Sequence, residues 1–223
     1  MIDFTFPSQK TIPAHHIIRK IYQQEDILRD LTAHYQSLLN IEKKKIEKWK
    51  NESINAIHDR LQGEEDIVLK HEEEPVHLEY DIKMETICCM ENTFHQAMFL
   101  LTYSYFESIV AAMCKEASLK VENNVETNVT CILKNTNSGF PTKIKDIYDY
   151  VAGDLKKIRN LFTHNYNGTS KNGQLEAAHR ECERNIGLHE IATDVFVIDE
   201  NYAANALTCE NKVLMALASI LKL

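Results

Sequence analysis

Residues Gln96 to Cys114 read QAMFLLTYSYFESIVAAMC, and this stretch decides the fold. Its apolar side chains occupy every side of a helix, and a helix of that kind lies at the centre of a bundle. The stretch approaches membrane-spanning length, but its Thr and Ser residues and Glu107 suit a protein interior better than lipid. We therefore expect it to form the middle of a long central helix, from about Leu78 to Leu119, in an all-α protein.

The segment before this helix is also helical in pattern. It contains neither Pro nor Gly from Ala14 to about Leu61, and its apolar residues recur at helical spacing, which predicts one or two long amphipathic helices. Gly63 and the acidic stretch Glu72–Pro75 are predicted to end them. We expect residues 1–75 to pack on a helical core formed by residues 76–223, both within one compact domain.

The segments after the central helix alternate between polar connectors and short amphipathic stretches. Their apolar spacing predicts helices near Val125–Leu133, Lys143–His164, Gln174–Arg184 and Ala203–Leu223, and a small β-hairpin near residues 187–198. The predicted fold class is therefore all-α: an antiparallel helical bundle with short connections and one small hairpin.

Charge is distributed unevenly along the chain. The 33 acidic and 25 basic residues give a net charge of −8, which excludes a protein coated in basic residues. Between Lys134 and Lys171, however, seven basic residues oppose three acidic ones, a local charge of +4. Because phosphate binding depends on the local field, this region is the predicted nucleic-acid-binding part of the chain.

The amino-terminal and cysteine patterns favour the cytoplasm. Residues Met1 to Lys10 contain no apolar secretory segment, and the six cysteines show no paired spacing typical of zinc sites. We expect reduced thiols, no metal site and no membrane association.

The predicted third long helix ends in KKIRNLFTHN, residues 156–165. Arg159 is followed directly by a polar residue, Asn160, and His164 comes five positions after the arginine. Asn160 and His164 are spaced i and i+4, so they share one helix face and the amide can orient the imidazole. Since His164 closes the helix, the chain can leave helical geometry there and bring the ring back toward Arg159.

The same arginine–histidine spacing occurs at Arg29…His34 and Arg184…His189. The first pair lies midway along a predicted helix, where five residues separate the two side chains by about 140° around the axis. The second pair crosses Gly187 into the predicted hairpin. Context therefore favours the pair Arg159 and His164.

This motif resembles the Arg-x(4–6)-His motif of the HEPN superfamily of helical-bundle proteins. The aromatic-rich central helix with its single acid, Glu107, also looks like the central helix of prokaryotic HEPN proteins. There the acid typically faces the motif helix, which makes Arg159 the expected partner of Glu107. The resemblance covers roughly residues 80–170.

The resemblance implies roles for individual residues. Arg159 would bind the scissile phosphate, His164 would transfer protons, Asn160 would orient the site and Glu107 would hold Arg159. RNA contacts are expected from three neighbouring residues: Lys156, Lys157 and Asn165.

The resemblance also implies an activity and a setting. Many HEPN proteins are metal-independent endoribonucleases, which leave 2′,3′-cyclic phosphate and 5′-hydroxyl ends and need no cofactor. They typically build the cleft between two copies, so a homodimer with a composite site is expected. The implied setting is bacterial antiviral defence or a toxin–antitoxin system, with an antitoxin or regulatory protein as a further partner.

Other interpretations of the same residues remain open. The chain also fits a non-catalytic HEPN module that binds a protein partner or a nucleotide, with Arg159 serving only as a structural partner of Glu107. Glu107 could instead bond a nearby hydroxyl such as Ser104. A third interpretation is a structural interaction protein built on the long amino-terminal helix.

Overall fold

The computed structural model describes residues 16–164 and 173–223, except for the side chain of His164. Within these ranges the protein is an all-α bundle with one two-stranded antiparallel sheet, as the sequence predicts. Its elements in chain order are α1 (His16–Arg60), α2 (Asp66–Glu116), α3 (Val125–Asn135), α4 (Thr142–Tyr150), a π-helical segment (Val151–Leu155), α5 (Lys156–His164), α6 (Gln174–Arg184), β1 (Leu188–Ala192), β2 (Val195–Ile198) and α7 (Glu200–Leu221).

Helices α1 and α2 form a long antiparallel hairpin. At about 1.5 Å per residue, the 45 residues of α1 extend for roughly 70 Å. The Tyr35 ring stacks on Phe94 with 3.7 Å between ring centroids, and Lys43 pairs with Glu91 at 2.9 Å. Gly63 lies in the connecting turn with a φ of +90°, a conformation that glycine adopts without steric cost.

The predicted break at Glu72–Pro75 is wrong, because α2 begins at Asp66 and runs through this segment. Its acidic residues pair with the end of α1 across the hairpin: Arg60 bonds Glu72 at 2.7 Å, and His58 contacts Glu73. Pro75 is exposed, so water can satisfy the backbone carbonyl that proline leaves without a helical donor. The predicted division between residues 75 and 76 therefore falls inside one helix.

The middle of α2 lies in the core, but only one side of the helix is buried. Phe99, Tyr103 and Phe106 are fully buried against the rest of the bundle, where Phe99 meets the ring of Tyr202 at 5.1 Å. The prediction that this stretch is surrounded on all sides is wrong, since Leu101 is 43% exposed. By its length and composition alone, α2 could cross a membrane. Half of its most apolar window is buried inside the bundle.

The motif helix is continuous in backbone from Thr142 to His164, with a π-helical turn in its middle. This wider turn includes Gly153, and π-helical turns occur frequently at functional sites. Leu155, the last residue of this turn, and Ile158 just after it are fully buried and fix α5 against the core. Arg159 follows the buried Ile158 and lies at the edge of that contact.

The β-hairpin is fastened to α2 through both backbone groups of Ile198. Its N–H donates to Asn92 Oδ1 at 3.1 Å, and its carbonyl lies 3.2 Å from His95 Nδ1. A carbonyl only accepts, so Nδ1 carries the proton; His95 Nε2 then accepts from the Gln36 amide at 3.1 Å. His95 is 5% exposed and thereby links α1, α2 and the hairpin.

We expect His95→Leu to lower the free energy of unfolding by about 1–3 kcal/mol, because it leaves the Ile198 carbonyl and the Gln36 amide without their partner. Urea unfolding followed by circular dichroism measures the change. His34→Leu, at an exposed position of α1, is the matched control and should change stability by less than about 0.5 kcal/mol. Equal effects of the two substitutions would contradict this role for His95.

Candidate functional site

Arg159 and Glu107 form an ion pair between α5 and α2. The Arg159 Nη2–Glu107 Oε2 distance is 3.1 Å, with side-chain exposures of 26% and 35%. The pairing expected for these two residues is confirmed. The alternative partner Ser104 is engaged elsewhere, because its hydroxyl donates to the Leu100 carbonyl at 2.9 Å.

Two further contacts fix the guanidinium group of Arg159. Nη1 donates to Asn160 Oδ1 at 2.9 Å, and the group lies over the Tyr103 ring, 5.5 Å from its centroid. A carboxylate, an amide oxygen and an aromatic face therefore hold the cation in one orientation at the rim of the bundle. Because Asn160 accepts through Oδ1, its two amide N–H bonds are directed away from Arg159.

His164 is the last residue of α5, and its side chain and Asn165 lie outside the described residues. The backbone stays helical through His164, so the prediction that the chain leaves helical geometry there and returns toward Arg159 is wrong. Positions 159 and 164 lie about 140° apart around the axis, the same separation as in the Arg29…His34 pair. Asn160 lies on the face of His164 by i,i+4 spacing and also bonds Arg159. The amide thus connects the guanidinium to the helix face that carries the imidazole.

The basic residues near Arg159 differ in how far they are neutralised. Lys156 pairs with Glu126 of α3 at 2.7 Å, so its charge is already balanced within the fold. Lys157 is exposed on the next position of α5. Of the two lysines predicted to contact RNA, Lys157 therefore has the better placement for a phosphate.

The other two arginine–histidine pairs serve local structure. Arg29 pairs with Asp26 on the same exposed stretch of α1. Arg184 pairs with Glu181 at the end of α6, and His189 in β1 contacts Asp199 at 3.1 Å. Neither pair brings its arginine and histidine to one site.

Sequence reasoning missed a buried acid near the site, Glu210 of α7. It is 1% exposed, and neither carboxylate oxygen has a hydrogen-bond partner within the described part of the chain. Burial raises the pKa of Glu210 to about 8, and the nearby charge of Glu107 adds to the rise. The neighbouring Thr102 hydroxyl opposes the rise, but it donates its own proton to the Phe99 carbonyl at 2.8 Å. Its neighbours Cys209, Asn211 and Lys212 are polar, so nothing local in the sequence indicates burial.

A second grouping absent from the sequence expectations joins α6 to the hairpin. His179 Nδ1 lies 3.4 Å from Glu190 Oε2, and its Nε2 lies 3.4 Å from Asp194 Oδ1. Three such groups could hold a metal ion. Because each ring nitrogen faces a different carboxylate, the arrangement also fits an imidazole that fastens the hairpin. His179 and Glu190 are 11 residues apart in the sequence, so local spacing did not reveal this group.

Comparison of the chain with models of known protein families, with curated proteins and with solved structures gives no match. The features that bear on the function of this protein are the geometry around Arg159 and the sequence motif that contains it.

We expect Arg159 and Glu107 to be coupled in a double-mutant cycle of Arg159→Met, Glu107→Gln and the double variant. A partly exposed ion pair supported by Asn160 should give a coupling energy of about 0.5–1 kcal/mol in urea unfolding. The control is Lys145–Asp149, an exposed i,i+4 pair on α4 at 3.2 Å, where about 0.3 kcal/mol is expected. Additive effects of the Arg159 and Glu107 substitutions would contradict the coupling.

Proposed function

We propose that this protein is a metal-independent endoribonuclease of the HEPN type. The observation that carries the proposal is the guanidinium of Arg159, held by Glu107 and Asn160 on the helix that ends at His164. The resemblance assigns these four residues to the site, and Arg159 contacts two of the others, Glu107 and Asn160. The carboxylate of Glu107 is balanced by the charge of Arg159.

The reaction requires only groups of these types. A base removes the proton of the RNA 2′-hydroxyl, the 2′ oxygen attacks the adjacent phosphorus, and the 5′ oxygen leaves with a proton from an acid. Histidine can act as either base or acid near neutral pH. The charge that develops on the phosphate oxygens is stabilised by a cation that is already in place, which is the role of Arg159.

The contacts of Arg159 leave it able to bind phosphate. A guanidinium group has five N–H donors, and the bonds to Glu107 and Asn160 use two of them. The remaining donors can reach phosphate oxygens while Glu107 prevents the side chain from rotating away. Fixing the cation before the substrate arrives lowers the entropic cost of reaching the transition state.

Two copies of the chain supply two imidazoles, whereas one copy supplies only one at this motif. An in-line displacement needs proton transfer on opposite sides of the phosphorus, and one imidazole cannot easily serve both. A two-fold axis beside α5 would bring two Arg159 and two His164 side chains to one cleft. We therefore propose a homodimer with a composite site, acting in the cytoplasm in bacterial defence or as a toxin under the control of an antitoxin.

We expect the purified protein to cleave RNA in the presence of EDTA, with 2′,3′-cyclic phosphate and 5′-hydroxyl ends detected by mass spectrometry. His164→Ala should lower the rate by about 10²–10⁴-fold, since general acid–base catalysis is lost. The matched control is His34→Ala, which removes the histidine of the equally spaced pair in α1 and should leave the rate unchanged. Loss of cleavage with EDTA, or an unaffected His164→Ala variant, would refute the proposal.

We expect co-expression of Arg159→Ala and His164→Ala chains to restore part of the cleavage that each variant lacks alone. A mixed dimer keeps one arginine and one histidine at the shared cleft, so phosphate binding and one of the two proton transfers are retained and only part of the activity returns. Each homodimer lacks one residue type entirely. Cleavage by the mixed preparation is compared with that of the two variants purified separately. An activity no greater than their sum would argue against a composite site.

A non-catalytic binding module is the second candidate, and one surface favours it. Four exposed apolar residues of α1 recur at coiled-coil spacing, each 46–50% exposed: Ile27, Leu31, Leu38 and Ile41. An apolar row of this kind is suited to a protein partner. If this alternative holds, the protein cleaves no class of RNA. Substitution of Leu31 and Leu38 by Glu then abolishes the function of the protein in the cell, whereas His164→Ala leaves that function intact.

A further inference from the structure

The exposed apolar row of α1 consists of Ile27, Leu31, Leu38 and Ile41, each 46–50% exposed. At about 1.5 Å per residue the row is roughly 20 Å long. Exposed apolar residues that are contiguous, unlike ones scattered singly, mark a contact surface. The residues beside the row indicate which partner covers it.

The rest of the bundle leaves the apolar row open. The buried residues Leu28 and Leu39 lie about 100–120° around α1 from the centre of the row. Helix α7 contacts α1 through Glu25, which accepts from the Asn211 amide at 3.3 Å. Glu25 lies about 120–160° around the axis from the residues of the row. A further helix can therefore lie along the row without displacing α7.

The order of residues in the row is the same from both ends: Ile, Leu, Leu, Ile. Ile27 with Ile41 and Leu31 with Leu38 are both centred within half a residue of position 34. An antiparallel copy of α1 with the same centre therefore places isoleucine against isoleucine and leucine against leucine. Such self-complementarity is what an interface between identical chains related by a two-fold axis requires.

The charges beside the row also match an antiparallel copy. Asp26 and Lys44 are 18 residues apart, which is about five turns of α-helix, so both lie on one flank of the row. They are centred on position 35, next to the centre of the apolar pairs. An antiparallel copy brings Asp26 of each chain beside Lys44 of the other, whereas a parallel copy would place like charges together.

Both charged residues are exposed and can reach a second chain. Lys44 has no ion pair within the described residues, although its neighbours Lys43 and Lys45 both have one. Asp26 pairs with Arg29 at the surface of the same helix. A carboxylate accepts several hydrogen bonds, so this contact leaves room for a lysine from another chain.

We propose that the apolar row of α1 is a homodimer interface, in which two copies of the row pack antiparallel about a two-fold axis. Two α1 helices arranged in this way overlap from residue 16 to about residue 52, which is roughly 55 Å. The row alone is smaller than the roughly 800 Å² per partner of a standard interface. We therefore expect a reversible dimer with a dissociation constant in the micromolar range.

This interface is separate from the Arg159 site. Glu107 lies about 140–160° around α2 from Glu91 and Phe94, two residues that contact α1. Helices α1 and α5 therefore pack on different sides of α2, and a copy bound to the row leaves Arg159 accessible. The inference goes beyond the proposed function and does not depend on RNA cleavage.

Analytical ultracentrifugation from micromolar to submillimolar concentration compares the wild-type protein with Leu31→Glu/Leu38→Glu. We expect the wild-type mass to rise with concentration to twice that of this row variant, because the variant places charges where the two copies meet. An equal mass of the two proteins at every concentration overturns the proposal. That result would also follow if residues 1–15 or another protein covered the row.

The matched control is Leu78→Glu/Ile82→Glu, which changes two exposed apolar residues of α2, 62% and 55% exposed. It adds the same charge and should keep the wild-type association. Because all four positions are exposed, circular dichroism is expected to show unchanged helix content in both variants. Equal loss of association in the control and in the row variant would show that charge alone is responsible, and would overturn the proposal.

A charge exchange tests the antiparallel orientation. Asp26→Lys and Lys44→Asp each place like charges together in an antiparallel pair, so either one alone should weaken association severalfold at low salt. Both substitutions in one chain restore opposite charges at both ends of the row, and association should return close to that of the wild type. A combined variant that associates no better than the single variants overturns the antiparallel arrangement.

This inference and the ribonuclease proposal fail separately. If the composite cleft beside α5 does not form, the row variant falls from dimer to monomer and this inference stands. If the row is not an interface, the wild-type protein and the row variant have the same mass, while cleavage of RNA in EDTA still decides the ribonuclease proposal.

Discussion

One charged group in the central helix sets the arrangement of the site. Between His95 and Lys115, Glu107 is the single formally charged residue of α2, and the helix on both sides of it is packed into the core. A carboxylate in that position needs a cation, and α5 supplies Arg159. The pairing joins the motif helix to the centre of the bundle, so the position of the guanidinium is fixed by the same packing that stabilises the fold.

The carboxyl groups of Glu107 and Glu210 illustrate how burial separates chemical roles. Glu107 is about one-third exposed and has a cation, whereas Glu210 is fully buried and has none. Burial raises the pKa of Glu210 and so favours its neutral state, whereas Glu107 is paired with Arg159. The α2–α7 contact therefore contains a carboxylate paired with Arg159 and a buried carboxyl group without a hydrogen-bond partner among the described residues.

Features that depend on local pattern could be predicted from the sequence. The range of α6 and the hairpin are confirmed because amphipathic spacing and Gly187 define them locally. Features that depend on partners distant in the chain could not. The acidic stretch that appeared to end a helix pairs with the end of α1, and Glu210 is buried because α7 packs against α2 and other helices of the bundle. The π-helical turn before α5 also leaves no distinctive pattern beyond Gly153.

The helical geometry of α5 bears on how a site could form. Because α5 remains helical to its last residue, Arg159 and His164 leave the backbone in directions about 140° apart. A single regular helix therefore cannot aim both groups at one phosphate along the shortest path, and Asn160 bridges only part of that angle. A second copy related by a two-fold axis removes the difficulty, since the histidine of one chain can then approach the arginine of the other. This divergence argues against a site built from one copy of the chain, so the proposed function requires a second copy to supply the histidine.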